Sequence, residues 1–430
     1  NLRRQRQMCI RDRSGSVDVS RITRCRGCGS ANLREFLDLG TTPLADALVD
    51  ERIVEDPELE ERFPLVVAFC PDCALVQITE DVEPEKLFVD NYHYFSSFSD
   101  ALLQHSREHA LNMVSTLGLG PESLVVELAS NDGYLLKNFV DKGIPVVGFD
   151  PAPGPAEAAR AIGVPTREEF FGREAAERLV AESGQADLII ANNVFAHIPD
   201  PNDFMAGMAT LLADDGLITI ENPSVWDLVD RCAFDTIYHE HFFYHSCLSI
   251  QSFAERHGLH LNHVEYFPDL HGGTNRWHLG KHDSPSDHLR SRLEAERTAG
   301  LGDFAFYADF GDKVDRLRTD LMDMLRTLRS EGRSVAAYGA AAKGATMVNA
   351  TGITRDLVDY VVDRNVHKQG KFMPGTHPPI RDVDVLSSDE APDVVLLLAW
   401  NFAAEIMKQQ ATFADAGGRF LVPVPSPELI

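Results

Sequence analysis

Short apolar runs alternate with longer amphipathic stretches over most of the chain. In the middle of the sequence, residues 124–128, 146–149, 187–192 and 217–221 predict four strands. After Gly332, residues 334–338, 360–362 and 394–398 predict a second group of strands. Strands that alternate with helices are typical of βαβ units and a parallel sheet. The pattern therefore predicts an α/β protein with two separate α/β regions.

A single amphipathic helix of about 20 residues is predicted between these two regions, because apolar residues recur there at steps of three or four. The stripe consists of Phe310, Val314, Leu317, Leu321, Met324 and Leu328. We expect this helix to bridge two lobes. Residues 20 to 80 have no such periodicity, and their short β-like runs and turns surround four cysteines.

Length and charge exclude several classes of protein. A chain of 430 residues predicts about two to four domains. The formal net charge of −26, from 66 acidic and 40 basic residues, would repel a polyphosphate backbone, so we expect no nucleic-acid partner. The sequence has no long apolar run of the kind that crosses a bilayer, so we expect no membrane partner.

The first residues and the cysteine count indicate the compartment. Residues 1–20 begin with an Arg-rich stretch that lacks the apolar core of a signal peptide, and we interpret them as a disordered or non-native leader. Seven cysteines are too few and too unevenly spaced for a disulfide scaffold of this size. A reducing cytoplasm is the predicted location.

Two Cys-x-x-Cys pairs predict a metal site. Cys25 and Cys28 form the first pair, and Cys70 and Cys73 form the second. Four thiolates in a tetrahedral array suit structural Zn²⁺ and leave no open position for chemistry. Two disulfides or a redox pair are the alternatives, although neither pair lies in a thioredoxin-like βαβ pattern.

Three polar segments follow predicted strands of the first α/β region. The first strand contains Glu127 and runs into a turn of small residues that ends at Gly133, the second ends at Asp150, and the third ends at Asn192. Open α/β sheets bind cofactors at the carboxyl ends of their strands. A helix cap or a solvated strand end is the alternative for each carboxylate.

Together these segments resemble the class I S-adenosylmethionine methyltransferases, although Ala129 and Asn131 stand where the family more often has glycine. The cofactor-binding residues that the resemblance implies are Glu127, Ala129, Asn131, Gly133, Asp150, Pro151, Asn192 and Asn193.

The densest cluster of proton-handling side chains is Tyr238-His-Glu-His241. In a strand, Tyr238 and Glu240 would share one face and His239 and His241 the other, whereas a loop could bring them together. Imidazole is well matched to proton abstraction near neutral pH. A second metal site and a purely structural polar cluster are the alternatives.

Seven motifs in one order resemble the sugar C-methyltransferases that act on nucleotide-linked deoxysugars, and the resemblance extends over residues 22–425. The motifs are the two Cys-x-x-Cys pairs (counted as one), Asn91-Tyr-His-Tyr-Phe-Ser-Ser97, Glu127-Leu-Ala-Ser-Asn-Asp-Gly133, Glu221-Asn-Pro223, Tyr238-His-Glu-His241, His271-Gly-Gly-Thr274 and Tyr338-Gly-Ala-Ala-Ala-Lys-Gly344.

The resemblance implies a three-part protein that holds the sugar nucleotide between its lobes. Residues 21–85 would form a zinc-binding domain, residues 86–305 the S-adenosylmethionine-dependent methyltransferase domain, and residues 306–430 a C-terminal Rossmann-like domain that binds the nucleotide sugar. Members of the family typically methylate carbon 3 of a thymidine-diphosphate-linked 4-keto-6-deoxysugar. We expect a monomer.

The resemblance also implies roles for individual residues. His241 would be the base that removes the proton beside the ketone, surrounded by Tyr238, Glu240, His197 and Tyr92 as further catalytic residues. The implied substrate-binding residues are Tyr92, Asn222, His241 and Lys343.

Several of these assignments have simpler alternatives. Tyr92 could be a packed aromatic ring, His197 an interior histidine, and Lys343 a surface lysine instead of a diphosphate ligand. The glycines after Gly332 form only a partial dinucleotide fingerprint, followed by Asp363, so NAD is not expected. For the whole chain, the alternatives are O- or N-methylation of a similar sugar and a non-catalytic, zinc-containing binding module.

Overall fold

A computed structural model describes residues 20–83, 87, 95–98 and 100–430 of the chain. In chain order the strands are β1 (Arg34–Thr42), β2 (Phe63–Cys70), β3 (Leu75–Ile78), β4 (Val125–Leu128), β5 (Val146–Phe149), β6 (Thr166–Arg167), β7 (Ala186–Asn192), β8 (Leu212–Pro223), β9 (Phe243–Tyr244), β10 (His260–Phe267), β11 (Thr274–Gly280), β12 (Val335–Tyr338), β13 (Val361–Asp363), β14 (Ile380–Asp382), β15 (Val394–Leu397), β16 (Arg419–Val422) and β17 (Glu428–Leu429).

The α-helices of the described residues are α1 (Glu51–Glu55), α2 (Asp100–Leu117), α3 (Lys137–Val140), α4 (Pro153–Ala161), α5 (Arg173–Ser183), α6 (Pro201–Leu211), α7 (Val225–Asp230), α8 (Cys247–Arg256), α9 (Asp287–Ala299), α10 (Phe310–Ser330), α11 (Ala342–Thr351), α12 (Ala403–Gln409) and α13 (Ala411–Asp415). Each described helix is too short or too polar to cross a bilayer.

The first sheet is antiparallel and has the order β1-β2-β3-β9. Its first three strands come from the cysteine-containing segment, and β2 and β3 are buried along their length apart from Pro64. The fourth strand, β9, comes from much further along the chain and pairs Tyr244 with Val76. We call residues 20–80 the zinc module, because they hold the four cysteines. This sheet joins the zinc module to the middle of the protein.

The second sheet has seven strands in the order β10-β11-β8-β7-β4-β5-β6. Strands β4 to β8 pair in parallel, while β10 and β11 are antiparallel. The carboxyl ends of β4, β5, β7 and β8 therefore meet at one edge of the sheet. This is the edge to which the sequence assigns the cofactor residues.

The third sheet has the order β14-β13-β12-β15-β16-β17. All of its pairs are parallel except the last. The predicted α/β class with two parallel-stranded regions is thus confirmed, and each predicted strand is present with its ends shifted by a residue or two or, for residues 217–221, as part of the longer β8. The predicted domain limits stay predictions.

Helix α10 bridges the zinc module and the third sheet, as its stripe predicts. The ring of Phe310 lies 6.1 Å from that of Phe36 in β1, and Arg329 at the other end bonds Asp359 through two 3.0 Å contacts. The predicted stripe position Met324 is half-buried and packs against the core, and Leu325 beside it is fully buried as well. The period of 3.6 residues makes the buried stripe drift around the helix.

Candidate active site and metal centre

The four cysteines of the first sheet lie together. All four Sγ atoms are within 4.8 Å of one another, and the contacts Cys25–Cys73 and Cys28–Cys70 measure 3.6 Å. A tetrahedral zinc with Zn–S bonds of about 2.3 Å separates its sulfurs by about 3.8 Å. The cluster therefore has the size and the soft donors that Zn²⁺ requires.

Hydrogen bonds make the thiol of Cys25 acidic. Cys70, Cys73 and the amide of Gln77 all bond its sulfur and lower its pKa, and the Gln77 Nε2 to Sγ distance is 3.1 Å. A thiolate is the form that binds a metal. In the described part of the chain, the four cysteines are the only group of three or more His, Cys, Asp or Glu side chains placed closely enough to hold a metal.

The zinc module (residues 20–80) packs directly on helices α6 and α8 beside the second sheet. Gly27 in the first knuckle leaves no room for a side chain, since a Cβ atom there would lie 2.8 Å from the Phe253 ring of α8. Asn202 Nδ2 at the start of α6 donates to the Arg26 carbonyl at 2.7 Å. Both contacts are made by residues between Cys25 and Cys28, so the first knuckle itself packs on this region.

The loop after β4 has an unusual backbone. Ala129, Asn131 and Gly133 all have positive φ angles of 55°, 48° and 77°, a region that favours glycine. Ala129 and Asn131 are the two positions where the family more often has glycine, so the conformation is retained without it. The helix that follows this loop, α3, starts only at Lys137 and has four residues.

Asp150, at the end of β5, is positioned by backbone amides. Its carboxylate accepts hydrogen bonds from Asn131 N and Ala152 N, each at 2.9 Å. The side chain is 4% exposed, and burial raises its pKa to about 6. Each oxygen retains a second lone pair, so the carboxylate can also accept bonds from a ligand's hydroxyl groups.

A cavity of about 330 Å³ opens beside Asp150. It brings together half of the predicted cofactor residues with the predicted catalytic His197. Those that line it are Ala129, Asp150, Pro151, Asn193 and His197. Glu127, Asn131, Gly133 and Asn192 do not line it. Glu127 is buried, where desolvation and the charge of Asp150 raise its pKa well above the usual range.

Sequence reasoning missed the aromatic wall of this cavity. Phe149, Phe171 and Phe204 line it, with Phe171 set edge-on to the other two at 5.2 and 5.4 Å. Glu169 and Phe170 lie there as well. The sequence signal for residues 169–171 was their position directly after β6, the next strand at the same edge of the sheet. A cavity with an apolar wall and a carboxylate that can accept bonds from hydroxyl groups suits an adenosine.

The Tyr238–His241 segment is a turn. Its backbone closes through a His241 N to Tyr238 O bond of 2.9 Å, and His239 Nε2 donates to the Pro64 carbonyl in the zinc module at 2.9 Å. The strand-like alternation is therefore wrong, because Tyr238 and His241 face each other while His239 points away from them. The histidines at 239 and 241 do not form a metal site.

His241 has a defined tautomer. Its Nδ1 lies 3.0 Å from the Thr236 carbonyl, which can only accept, so Nδ1 carries the proton. Nε2 is then the acceptor for the Tyr238 hydroxyl at 2.9 Å. Burial and the nearby His197 and Lys343 hold the pKa of His241 well below its usual value. The imidazole is therefore neutral at pH 7, with Nε2 available as a base.

Two other predicted catalytic residues lie next to His241. The ring of His197 is 4.6 Å away, and burial lowers the pKa of His197 to about 4. Glu240 is directed toward the zinc module, where burial and Asp46 raise its pKa to about 8. Tyr92 lies outside the described residues. Asp46 was not predicted, because a lone acidic residue in a turn carries no sequence signal.

The predicted substrate residues Lys343 and Asn222 belong to different parts of the fold, Lys343 to α11 beside the third sheet and Asn222 to the end of β8 in the second sheet. Lys343 Nζ is 3.4 Å from the His271 carbonyl and 5.1 Å from the centre of the Trp400 ring. Burial lowers its pKa against the opposing charge of Asp235. Asn222 is buried at the end of β8, and within the described residues its Oδ1 has no hydrogen-bond partner.

Comparisons with known proteins agree with this arrangement. Three family models match the chain: a zinc binding domain at residues 25–88, a methyltransferase domain at 103–264 and a C-methyltransferase C-terminal domain at 269–425. The C-methyltransferase NovU of Streptomyces niveus is 36% identical over 417 residues, which cover 96% of this chain and 98% of NovU.

Solved structures show weaker similarity. Magnesium protoporphyrin IX methyltransferase of Synechocystis PCC 6803, with bound SAM, has 14% identity and a TM-score of 0.31, covering 44% of this chain and 85% of its own. A SAM-dependent methyltransferase of Anabaena variabilis has 16% identity and a TM-score of 0.32, covering 40% and 84%. The assignment of the fold rests on the strand order and the family models.

The fold and the site define a class I S-adenosylmethionine methyltransferase joined to a zinc-binding module and a C-terminal α/β domain. The chain belongs to the S-adenosylmethionine-dependent C-methyltransferase family. Its cofactors are S-adenosylmethionine and a structural zinc ion. Methyl transfer to carbon replaces the alternatives of O- or N-methylation and of a non-catalytic binding module.

Proposed function

We propose that this enzyme methylates carbon 3, beside the ketone, of a thymidine-diphosphate-linked 4-keto-6-deoxysugar. The observation that carries the proposal is the neutral His241 with its Nε2 free of a proton, 4.6 Å from the His197 ring that lines the cavity beside Asp150. A base next to a methyl donor is what methylation of a carbon acid requires. The choice of sugar rests on the motif resemblance and on similarity to NovU.

His241 removes the proton from the carbon. Because Nδ1–H is held by the Thr236 carbonyl, Nε2 is the atom that takes the proton. The Tyr238 hydroxyl that bonds Nε2 must therefore move aside when the substrate's C–H approaches. A pKa well below the usual value keeps the imidazole unprotonated at neutral pH. The base is therefore ready at each encounter with substrate.

Negative charge that develops on the ketone oxygen needs donors in a site with little water. Tyr238 has an O–H beside the base, and Lys343 is a cation whose charge acts on His241. Lys343 is placed by the His271 carbonyl and the Trp400 ring. These two side chains are suited to stabilise the enolate oxygen.

Asp150 and the loop after β4 bind the cofactor. Bound S-adenosylmethionine supplies an electrophilic methyl group on a sulfonium centre. Asp150, fixed by the Asn131 and Ala152 amides, accepts bonds from the ribose hydroxyls. The aromatic wall that includes Phe171 packs against the adenine.

Mass spectrometry and NMR of reactions in D₂O test the proposal. The zinc-loaded enzyme is incubated with S-adenosylmethionine and a panel of thymidine-diphosphate-linked 4-keto-6-deoxysugars. We expect a product that gains one methyl group on carbon, and deuterium at the carbon beside the ketone in unreacted sugar.

The matched control is the thymidine-diphosphate sugar that lacks the 4-keto group, which has no acidic C–H and should neither exchange nor react. Methylation of a hydroxyl group, or equal reaction of the control sugar, would contradict the proposal.

A further inference from the structure

Gly272 of the His271-Gly-Gly-Thr274 motif, in the loop between β10 and β11, faces the indole ring of Trp400. A Cβ atom at position 272 would lie 3.1 Å from Cη2 of that ring, and the residue has a φ of 88°, which favours glycine. The function proposed above uses the Trp400 ring only to support Lys343 and gives Gly272 no role. The missing side chain at position 272 lets the indole pack closely on this loop.

The indole also holds a buried carboxylate. Trp400 Nε1–H, which can only donate, bonds Asp235 Oδ2 at 2.6 Å. Asp235 is 0% exposed and Trp400 is 8% exposed, so water has little access to this bond. Within the described residues, the other carboxylate oxygen, Asp235 Oδ1, has no hydrogen-bond partner. Because a buried polar group is costly to leave unpaired, the indole donor is important for the placement of this side chain.

Asp235 is the middle residue of a short 3₁₀ turn, Phe234–Thr236. A backbone hydrogen bond of 3.0 Å across the turn closes it. The carbonyl of Thr236, the next residue, lies 3.0 Å from His241 Nδ1 and is the acceptor that fixes the tautomer of the base. The position of Asp235 therefore bears directly on this bond, since the two residues are adjacent in one closed turn.

Trp400 reaches this turn from the third sheet. It starts the 3₁₀ turn Trp400–Phe402 after β15, while Lys343 lies in α11 after β12, the parallel neighbour of β15. Helix α11 packs against the Phe234–Thr236 turn, and Lys343 Nζ is 5.1 Å from the centre of the indole. One side chain thus contacts both the turn that holds the base and the cation suited to stabilise the enolate.

We propose that Trp400 is a positioning residue for the base. Its bond to Asp235 fixes the Phe234–Thr236 turn, and the last carbonyl of that turn keeps the proton of His241 on Nδ1. Trp400 acts through this turn and needs no contact with the reacting carbon. The inference rests on the proposed role of His241 as the base. It makes docking of the third sheet on the second a condition for the reactive tautomer.

Trp400→Phe tests the proposal, because Phe keeps an aromatic face toward Lys343 and removes the N–H donor. In the zinc-loaded variant we expect kcat, and the rate at which deuterium enters the carbon beside the ketone, to fall about tenfold or more. KM and the affinity for S-adenosylmethionine should stay within about twofold, since an interaction needed only in the chemical step lowers kcat.

The matched control is Trp277→Phe. It also removes a buried indole N–H, which bonds Cys247 Sγ at 3.3 Å, but neither residue belongs to the turn that carries Asp235. The variant should have a lower unfolding temperature and keep the wild-type kcat and deuterium exchange. A loss of chemistry equal to that of Trp400→Phe would reveal a general effect of lost stability and would overturn the proposal.

A double-mutant cycle shows whether Trp400 acts through the base. In the His241→Asn enzyme, the further change Trp400→Phe should lower methyl transfer by less than about twofold, because the two changes remove one function. The full tenfold loss in that background overturns the positioning role, and so does a Trp400→Phe enzyme in which kcat is unchanged or only KM rises. A His241→Asn enzyme with normal methyl transfer would instead overturn the proposed base.

A second measurement needs no substrate. In enzyme labelled with ¹⁵N-histidine, the signals of His241 are identified by their absence in His241→Asn. Wild type should show a protonated Nδ1 and an unprotonated Nε2, whereas Trp400→Phe should show a mixture of both tautomers. If Trp400→Phe does not fold, Asp235→Ala removes the same bond from the other side and should give the same mixture. A single Nδ1–H tautomer in the folded variant overturns the proposal.

Discussion

The reactive state of the candidate base is fixed by two hydrogen bonds. Thr236 O holds the proton on His241 Nδ1, and the Tyr238 hydroxyl marks the direction from which Nε2 is approached. Neither bond involves a charge, so the imidazole stays neutral, and burial reinforces this. One residue thus combines a defined tautomer with a suitable protonation state.

Replacement of the base should abolish chemistry but leave the cofactor bound. For His241→Asn we expect methyl transfer and deuterium exchange to fall by about 10²- to 10⁴-fold, with the affinity for S-adenosylmethionine within about twofold by calorimetry, since Asp150 lies in a different part of the site. His282→Asn, at an exposed position, should behave as wild type. Loss of cofactor binding with normal chemistry would reverse the assignment.

Binding of S-adenosylmethionine should weaken at acid pH. The pKa of Asp150 is raised to about 6, so the carboxylate is ionised at pH 7 and becomes protonated as the pH falls through 6, when it loses acceptor strength toward ribose hydroxyls. Calorimetric titrations with S-adenosylmethionine between pH 7.5 and 5 should show this loss of affinity. Asp150→Asn should bind weakly at every pH, and a pH-independent wild type would contradict the role.

The sequence predicts residues that are neighbours in the chain better than residues that meet only in the fold. Tyr238 and His241 could be recognised because they share one short motif, and Asp150 because it ends a strand. Asp46 meets Glu240 only because the zinc module folds against the Tyr238–His241 segment. No local pattern around Asp46 contains that information.

At the level of secondary-structure elements, the zinc module contacts the chain just after the Tyr238–His241 segment through the pairing of β3 with β9. Phe243 and Tyr244 of β9 are separated from His241 only by Phe242, and Gln77 and Val76 of β3 are their partners. Gln77 also bonds the sulfur of Cys25. Gln77 therefore connects the metal-binding cysteines to β9, which lies close to His241 in the chain.

Loss of zinc should impair catalysis as well as stability. In Cys28→Ala we expect loss of the bound zinc, a lower unfolding temperature and a fall of about tenfold or more in kcat, because metal binding contributes directly to folding energy and β9 loses its support. Metal analysis, calorimetry and kinetics measure these. Cys232→Ala, outside the cluster, should keep its zinc, and unchanged metal content in Cys28→Ala would contradict the site.

Long periodic elements could be predicted, but short ones could not. Helix α10 and the central strands of both parallel sheets follow from their apolar spacing. The two-residue strand β9 has no detectable pattern and exists because β3 offers it an open edge. Tertiary pairing, not local preference, decides such elements.

At the scale of the whole molecule, residues 49–60 near the start of the described chain contact residues 372–377 near its end. Val49 and Phe372 exchange two backbone hydrogen bonds. The Glu60 carboxylate accepts from Gly375 N at 2.7 Å and lies 3.4 Å from His377. The first and last parts of the described chain are therefore held together at this junction.

Removal of the Glu60 carboxylate should loosen this junction. Burial alone would raise the pKa of Glu60, but bonds from His377 and Gly375 outweigh it and lower the pKa, so its contribution to stability is present at neutral pH and is lost as the pH falls below about 4.5. For Glu60→Ala we expect a loss of about 1–3 kcal/mol in urea unfolding at pH 7, and less at pH 4. Glu58→Ala, which is exposed, should lose little, and equal losses would contradict the junction.

Strand β9 also has a consequence for how the protein is made. During synthesis the ribosome releases β1, β2 and β3 long before residues 243 and 244, so the first sheet has an unfilled edge until the methyltransferase region has emerged. An early metal-loaded intermediate would expose β3 for all of that time, and unpaired edges favour aggregation. The N-terminal segment expressed alone should therefore bind zinc yet self-associate, and it should become soluble only when a chain that carries residues 243 and 244 is supplied.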